Sequence, residues 1–385
     1  MNVIKHFEFV TPAPFATQSS HGEVKPKTIN WFIPPLGKGS GGHLNIFRFA
    51  KNLEDLGYEN RFVVVAESLV PEDKRLTKEE IKEKIAEWFM PLKAECFRGT
   101  ADLPPAEFAM ATGWQTAYYV DALKDKCHKC YFIQDYEPWF YSRGAEYFLA
   151  ENTYKLGFSA ITAGQWLEGL MRKDYGMEAH AVGFSYDKDL YHRPEKAPAS
   201  HALSPKKQRV FFYARPPTPR RAFDLGVLVL DAVTKRMPTV EVVMAGWDLS
   251  QYEFPFQVTD HGIMRLSDLP ALYATCDAAL VLSFSNLSLL PLELMACGVP
   301  VVSNDGAWVE WLLNRDNACL AEPTIQGLAD AIIKLLSDDD LREQHAVRGL
   351  EFAQGTSWIN EARRFDSILT KIATARPPCS SRTTR

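Results

Sequence analysis

Short, strongly apolar runs rich in Val, Ile and Phe recur along this chain, each followed by a turn-forming segment and then a stretch with helical spacing. That alternation constrains the fold more than any other feature. A run such as Phe62-Val63-Val64-Val65 has no polar face, so as a strand it must be covered on both sides. Strands covered on both faces and alternating with helices build doubly wound α/β sheets of parallel strands. The expected fold class is α/β, with two Rossmann-like domains, because the pattern runs, stops and starts again.

In the first half, strands are expected at 29–33, 61–66, 107–111, 130–133 and 159–162. Helices are expected from the glycine-rich turn to about Leu56, then at 114–123, 144–155 and 165–175. Gly57 stops the first helix, as a C-cap glycine does. The polar, proline-bearing stretch 193–208 reads as a linker. Beyond it, strands are expected at 210–214, 240–245, 278–283 and 299–303, and helices at 223–235, 268–275, 292–297, 325–336, 341–353 and 358–373. The domain organisation expected is an irregular lead-in over 1–28, an acceptor-side domain over 29–192, the linker, and a nucleotide-sugar-binding domain over 209–356. A C-terminal helix over 357–375 packs back on the first domain, and a disordered tail spans 376–385.

The chain has 385 residues, enough for two domains with large cores. Its formal net charge of −5 lacks the basic footprint of a general nucleic-acid binder. Seven scattered cysteines suit a reduced, cytoplasmic setting rather than a disulfide scaffold. Cys127 and Cys130 flank His128 without a second ligand pair, so a zinc site is not expected. No signal peptide and no apolar run of membrane-spanning length is apparent.

Two parallel-sheet domains in tandem predict a cleft lined by the carboxyl ends of their strands, where ligands bind in such sheets. Several motifs fall at strand ends. Gly37-Lys38-Gly39-Ser40-Gly41-Gly42-His43 joins the first strand to the first helix. Glycines admit a ligand close to the backbone, and a helix N-terminus offers N–H groups. The run also matches G-x-G-x-x-G, with Glu67 where a ribose-binding carboxylate would stand. However, Pro34-Pro35-Leu36 separate it from the strand, unlike the dinucleotide turn. A ligand loop at the cleft, a structural turn and a dinucleotide loop are the three readings. Next, Arg215, Arg220 and Arg221 lie in a stiff turn with Pro216, Pro217 and Pro219. Guanidinium groups grip phosphate oxygens as a planar fork, or else this is a solvated basic turn. Last, a polar loop through Ser285, Asn286, Leu287, Ser288 and Leu289 precedes a helix carrying Glu293, which Gly298 stops. A carboxylate there suits a ribose diol, or else serves the helix dipole. Gln134-Asp135-Tyr136-Glu137 ends another strand, and Asp135 and Glu137 are candidates for sugar hydroxyls or for loop caps. Trp139 and Phe140 are either a platform for a sugar ring or core.

The string Leu292-Glu293-Leu294-Met295-Ala296-Cys297-Gly298-Val299-Pro300-Val301 resembles the signature of family 4 glycosyltransferases, retaining enzymes of the two-domain GT-B fold. In that family a glutamate at the place of Glu293 holds the donor ribose, and a second one belongs where this chain has Ser285. The departure suits a donor sugar with fewer or inverted hydroxyls, such as a deoxyhexose. Arg215 and Arg220 match the pair that grips the diphosphate, with arginine in place of lysine. Gly41-Gly42-His43 is similar to the family's N-terminal loop. Gly262-Ile263-Met264-Arg265 resembles the segment near the base, and Tyr186-Asp187 with Tyr191 resembles the inter-domain segment. Within the family, Ile-Asn-Trp-Phe-Ile-Pro, Gly-Ser-Gly-Gly-His and Tyr-Phe-Ile-Gln-Asp-Tyr-Glu-Pro are most similar to rhamnosyltransferases that build bacterial surface glycans from dTDP-rhamnose.

The resemblance implies a retaining, metal-independent hexosyltransferase. Arg215, Arg220 and Glu293 would do the catalytic work. Gly262, Met264 and 285–289 would line the donor, and Gly41, Gly42, His43, Asp135 and Glu137 would face the acceptor or the sugar. It implies no cofactor beyond a nucleotide-sugar donor, and a glycan or lipid-linked glycan acceptor. Arg376, Arg382 and Arg385 leave room for weak peripheral contact with the inner membrane. A nucleotide-sugar epimerase of the same fold and a non-catalytic glycan-binding protein are the alternatives. Ser285 in place of a glutamate is the feature that favours the latter.

Overall fold

The structure, a computed structural model, describes residues 2–12, 23–193 and 207–375. It divides into two compact units, Met1–Gly183 with Trp358–Arg385, and Phe184–Ser357. The first unit runs α1 (Val3–His6), β1 (Thr28–Ile33), α2 (Gly41–Asp55), β2 (Glu59–Val64), α3 (Lys78–Trp88), β3 (Glu95–Arg98), β4 (Phe108–Ala111), α4 (Trp114–Ala122), β5 (His128–Ile133), α5 (Ala145–Thr153), β6 (Ser159–Ala163), α6 (Gln165–Tyr175) and β7 (Ala179–Val182). Its seven strands form one parallel sheet in the order β3-β2-β1-β4-β5-β6-β7. All six residues of β1 are buried, as a central strand covered on both faces requires.

The second unit runs β8 (Arg209–Tyr213), α7 (Phe223–Arg236), β9 (Glu241–Ala245), β10 (Val258–Asp260), α8 (Leu269–Tyr273), β11 (Ala278–Val281), α9 (Leu290–Ala296), β12 (Val301–Asn304), α10 (Ala307–Glu310), β13 (Cys319–Ala321), α11 (Ile325–Ser337) and α12 (Asp339–Gly355). Its sheet is also all parallel, in the order β10-β9-β8-β11-β12-β13. In each sheet the chain starts in the middle, builds outward to one side, and then crosses to the other. The switch points lie between β1 and β4 and between β8 and β11, and sheets of this kind bind ligands at the carboxyl ends there.

The last helix, α13 (Trp358–Ala375), belongs to the first unit. Its Phe365 ring packs 5.8 Å from Trp31, 5.1 Å from Phe49 and 5.8 Å from Phe132. Glu361 accepts from Gly183 N at 2.6 Å, and Tyr58 donates to Asp366 at 2.8 Å. Conversely, the boundary expected at 192 lies earlier, after Gly183. Tyr191 is buried and stacked 6.2 Å from Tyr273, and Phe184 meets Trp311 at 6.0 Å, so these residues join the second core.

The lead-in also departs from expectation. Residues 2–12 form α1 and a further helical turn at Glu8–Val10, and Phe9 is buried 5.3 Å from Trp114. Residues 13–22, most of the expected linker (194–206) and the expected tail at 376–385, with its three arginines, lie outside the described residues.

Close packing of α7 on β8 depends on Gly226. A Cβ there would lie 2.1 Å from the ring of Phe212, which is itself buried among the sheet residues. Overpacking of this kind costs about 1–3 kcal/mol, and alanine's better helix propensity returns roughly 1 kcal/mol. Gly226→Ala is therefore expected to destabilise the second unit by up to about 2 kcal/mol, read as a lowered urea midpoint.

Candidate functional site

In the second unit, the two motifs singled out in the sequence meet at the switch point. β8 ends at Tyr213, and Ala214 N extends its ladder to Ala245 O at 2.9 Å. A turn follows, closed by Thr218 N donating to Arg215 O at 3.0 Å, and Pro219–Arg221 form a short 3-10 turn. Ala222 takes a left-handed conformation with φ of 48°, which α-helical continuation would not allow, and α7 starts at the next residue. On the neighbouring strand, β11 leads into the 283–289 loop. Phe284 N donates to Arg220 O at 2.8 Å. Arg221 Nη1 donates to Ser283 Oγ at 2.5 Å and to Asn286 O at 3.2 Å. Arg221 thus ties the arginine turn to the loop.

The loop is braced from the far side as well. Ser283 N donates to Asn304 Oδ1 at 2.9 Å, and Asn304 Nδ2 returns a bond to Ser283 O at 2.8 Å. Trp308 Nε1 donates to the same carbonyl at 2.7 Å. Ser285, Asn286, Leu287 and Leu289 are all buried, whereas Ser288 is half-buried. The replacement at Ser285 therefore faces inward.

Arg215 is aimed by residues that sequence reading passed over. Its Nη1 donates to Gly246 O at 3.3 Å, and its guanidinium lies 5.4 Å from the centre of the Trp247 ring. Gly246 has a φ of +118°, and a Cβ there would lie 2.5 Å from the Tyr213 ring and 2.9 Å from Ala214 O. No side chain fits. Gly246 N donates to Gly262 O at 2.7 Å, which sets the segment of Gly262 and Met264 beside the same strand ends. Gly262 N in turn donates to Asp260 Oδ1 at 2.8 Å. The only trace of this second tier in the sequence is Gly246-Trp247 directly after an apolar strand.

Glu293 lies in the first turn of α9, half-buried, behind Pro291. Burial and then its charge hold the Tyr273 hydroxyl well above the usual tyrosine value and push the Cys297 thiol up to about 12. Arg215, Arg220, Gly262, Met264, 285–289 and Glu293 all belong to the carboxyl side of one sheet.

In the first unit the glycine loop and the end of β5 are joined. Gln134 Nε2 donates to Gly42 O at 3.0 Å, and Asn45 Nδ2 donates to Gln134 Oε1 at 3.0 Å. Gly41 and Gly42 are exposed. Two expected sugar-side residues have other work. His43 is buried, its ring nitrogens 2.9 Å from Ser40 Oγ and 3.2 Å from Pro34 O, so it braces the loop. Glu137 is buried too. Its carboxylate accepts from Trp114 N at 2.7 Å, at the start of α4, and from Tyr131 Oη at 3.1 Å. Asp135 is buried as well and accepts from Tyr136 N at 2.8 Å. Loop position drew these residues toward the ligand in sequence reading; burial turns His43 and Glu137 inward.

Burial lowers the imidazole pKa of His43, His128 and His345 below the ordinary value of 6.5. In the fold they stay neutral, whereas the unfolded chain takes up protons near that value. The stability they contribute is present above about pH 6.5 and falls as the pH drops through the lowered values. Urea midpoints between pH 7.5 and 5 are expected to fall with acidity, and His43→Leu should flatten part of that slope.

Among the described residues no group of three or more His, Cys, Asp or Glu side chains could hold a metal ion. None of the described helices is long and apolar enough to cross a membrane.

The sequence matches two family models in chain order. WsaF, N-terminal domain, covers residues 29–163, and WsaF, C-terminal domain, covers 208–333. The chain belongs to the WsaF family. The O-antigen biosynthesis protein RfbC of Myxococcus xanthus is 34% identical over 364 residues, which is 92% of this chain. This WsaF-family chain spans only 28% of that relative's length. Sucrose-phosphate synthase from Thermosynechococcus elongatus superposes with a TM-score of 0.69 at 14% identity, over 91% of this chain and 100% of that one. HepE of Anabaena, in complex with UDP and glucose, gives 0.69 at 17% identity, over 90% and 100%. These likenesses give the WsaF-family chain the GT-B fold of glycosyltransferases.

Proposed function

We propose that this chain is a glycosyltransferase of surface-polysaccharide synthesis, moving a sugar from a nucleotide diphosphate donor onto a glycan or lipid-linked glycan acceptor. The observation that carries the reading is the junction in the second unit, where the arginine turn is bonded to the 283–289 loop at the switch point of the sheet. That is where such sheets bind ligands, and guanidinium groups there suit a diphosphate. The name of the Myxococcus xanthus relative and the UDP and glucose held by HepE support it.

In this reading Arg215 and Arg220 grip the diphosphate and Glu293 accepts hydrogen bonds from the nucleoside sugar. The loop backbone and Ser288 line the phosphates, and Gly262 and Met264 lie at the base. The first unit offers Gly41 and Gly42 to the acceptor. The preferred donor is dTDP-rhamnose, on the motif similarity. The proposed course is retaining. The bond from the anomeric carbon to the phosphate oxygen breaks, the acceptor oxygen attacks from the same face, and its proton passes to the leaving phosphate. The arginines stabilise the charge that develops there, which is the work a metal ion does in other transferases. The reaction needs no cofactor and takes place in the cytoplasm or at the inner face of the membrane.

The test is a panel of nucleotide sugars incubated with the full chain and glycan acceptors, with products read by mass spectrometry. Transfer of one sugar with release of the nucleoside diphosphate is expected. Conversion of the donor without an acceptor would instead identify an epimerase, and binding without turnover a carbohydrate-binding protein.

A further inference from the structure

Two tryptophans on the first unit have no part in the reading above. Trp139 lies in the turn Glu137–Phe140 that follows β5, and Trp166 is the second residue of α6, which follows β6. β5 and β6 are neighbours in the sheet, so both rings come from the carboxyl ends of adjacent strands. Their centroids are 5.6 Å apart and their planes 32° from parallel. Trp139 is 40% exposed, a large apolar surface for a residue at a ligand-binding edge.

The pair is held in place from below. The Tyr136 ring packs edge-on to Trp139 at 5.0 Å and stacks on Tyr154 at 5.7 Å, and its hydroxyl lies 2.5 Å from that of Tyr175. Trp139 N donates to Tyr136 O at 3.0 Å. The buried bonds of Glu137 fix the start of the same turn. On the other side, Gly164 turns the chain with a φ of +87° and donates to Val182 O at 2.9 Å. An exposed, rigidly supported indole surface suits a ring that is apolar on one face and hydroxylated at its rim, because stacking then costs neither partner its hydrogen bonds to water.

We infer that Trp139 and Trp166 form a platform for a neutral pyranose residue of the acceptor, one with a broad C–H face such as a 6-deoxyhexose. This deepens the transferase reading and rests on it. The platform shares its sheet edge with Gly41 and Gly42, to which Gln134 links the β5 end. A lipid surface fits less well. The other exposed aromatic nearby in sequence, Phe148 on α5, has the Arg143 guanidinium 5.7 Å over its ring and so offers no bare aromatic face beside the pair.

The test titrates the full chain with the methyl α-pyranosides of rhamnose, fucose, mannose and glucose, read by saturation-transfer NMR and tryptophan emission. Parallel arms titrate dTDP-rhamnose and sediment the protein with phosphatidylglycerol–cardiolipin vesicles. Trp139→Ala and Trp166→Ala are expected to weaken glycoside binding about tenfold or more, while Trp139→Phe stays within about threefold and dTDP-rhamnose affinity holds. Circular dichroism checks that each variant is folded. The inference is overturned if no glycoside binds, if the folded double alanine variant binds as well as wild type, or if the alanine variants lose only vesicle binding. A wild-type chain that binds glycosides through these rings but no nucleotide sugar would sink the donor assignment and leave the platform standing.

Discussion

Arg215→Ala is expected to lower sugar transfer by about a hundred- to a thousandfold, the usual effect of removing one fixed donor aimed at developing charge. The side chain touches Gly246 O and the face of Trp247, so its loss leaves the core intact. The urea midpoint should barely move. A guanidinium has five N–H donors, so a bond to Gly246 leaves others for phosphate oxygens. Arg215→Lys is expected to recover only a small part of the rate, because an ammonium can neither fork onto phosphate nor lie flat on the indole. Steady-state rates with a saturating donor, beside the donor dissociation constant from calorimetry, separate a charge effect on the reaction from a loss of binding. Arg221 should behave differently. It is engaged with Ser283 and Asn286, so Arg221→Ala is expected to loosen the loop and lower stability and donor affinity together.

Glu293→Ala is expected to weaken donor binding by about ten- to a hundredfold, since a hydrogen bond to a charged group contributes roughly 1.5–3 kcal/mol. The effect should depend on the nucleoside. A uridine diphosphate offers two ribose hydroxyls to one carboxylate, whereas a thymidine diphosphate offers one. The loss on Glu293→Ala is therefore expected to be larger for uridine than for thymidine diphosphate, measured by calorimetry on the same preparations. Equal losses for both would place Glu293 elsewhere than at the nucleoside sugar.

The sheets were legible because their central strands are nearly pure apolar runs. The expected 210–214 appears as Arg209–Tyr213, and the helix expected at 165–175 as Gln165–Tyr175. Missing from the sequence reading were β3, β7, β10 and β13, each of three or four residues. Strands as short and polar as Glu95–Arg98 or Val258–Asp260 have too few positions to show a pattern and are formed by pairing with an established neighbour. The missed α3 did carry a signal. Thr77 and Glu80 form a reciprocal capping box, visible as Thr-x-x-Glu before the helix.

The candidate site was legible to the same extent and for a related reason. Motifs at strand ends are local in sequence, so Arg215, Arg220, 285–289 and Glu293 could be named. The bonds that join them are not local: Arg221 reaches Ser283 across 62 residues, and Arg215 reaches Gly246 across 31. Burial is equally hidden. Nothing in Gln134-Asp135-Tyr136-Glu137 tells that Glu137 turns inward to cap α4, since that depends on the Tyr131 hydroxyl and the backbone N–H of Trp114 reaching it.

The sugar transfer proposed for this chain requires the second unit to bind a nucleoside diphosphate at the Arg215 and Glu293 strand ends. Isothermal titration of the full chain with dTDP and with UDP tests it most directly. One saturable site is expected for at least one of them, with affinity cut about tenfold or more by Arg215→Ala and by Glu293→Ala in folded protein. Absence of binding by both nucleotides, or binding that both variants leave unchanged, would contradict it.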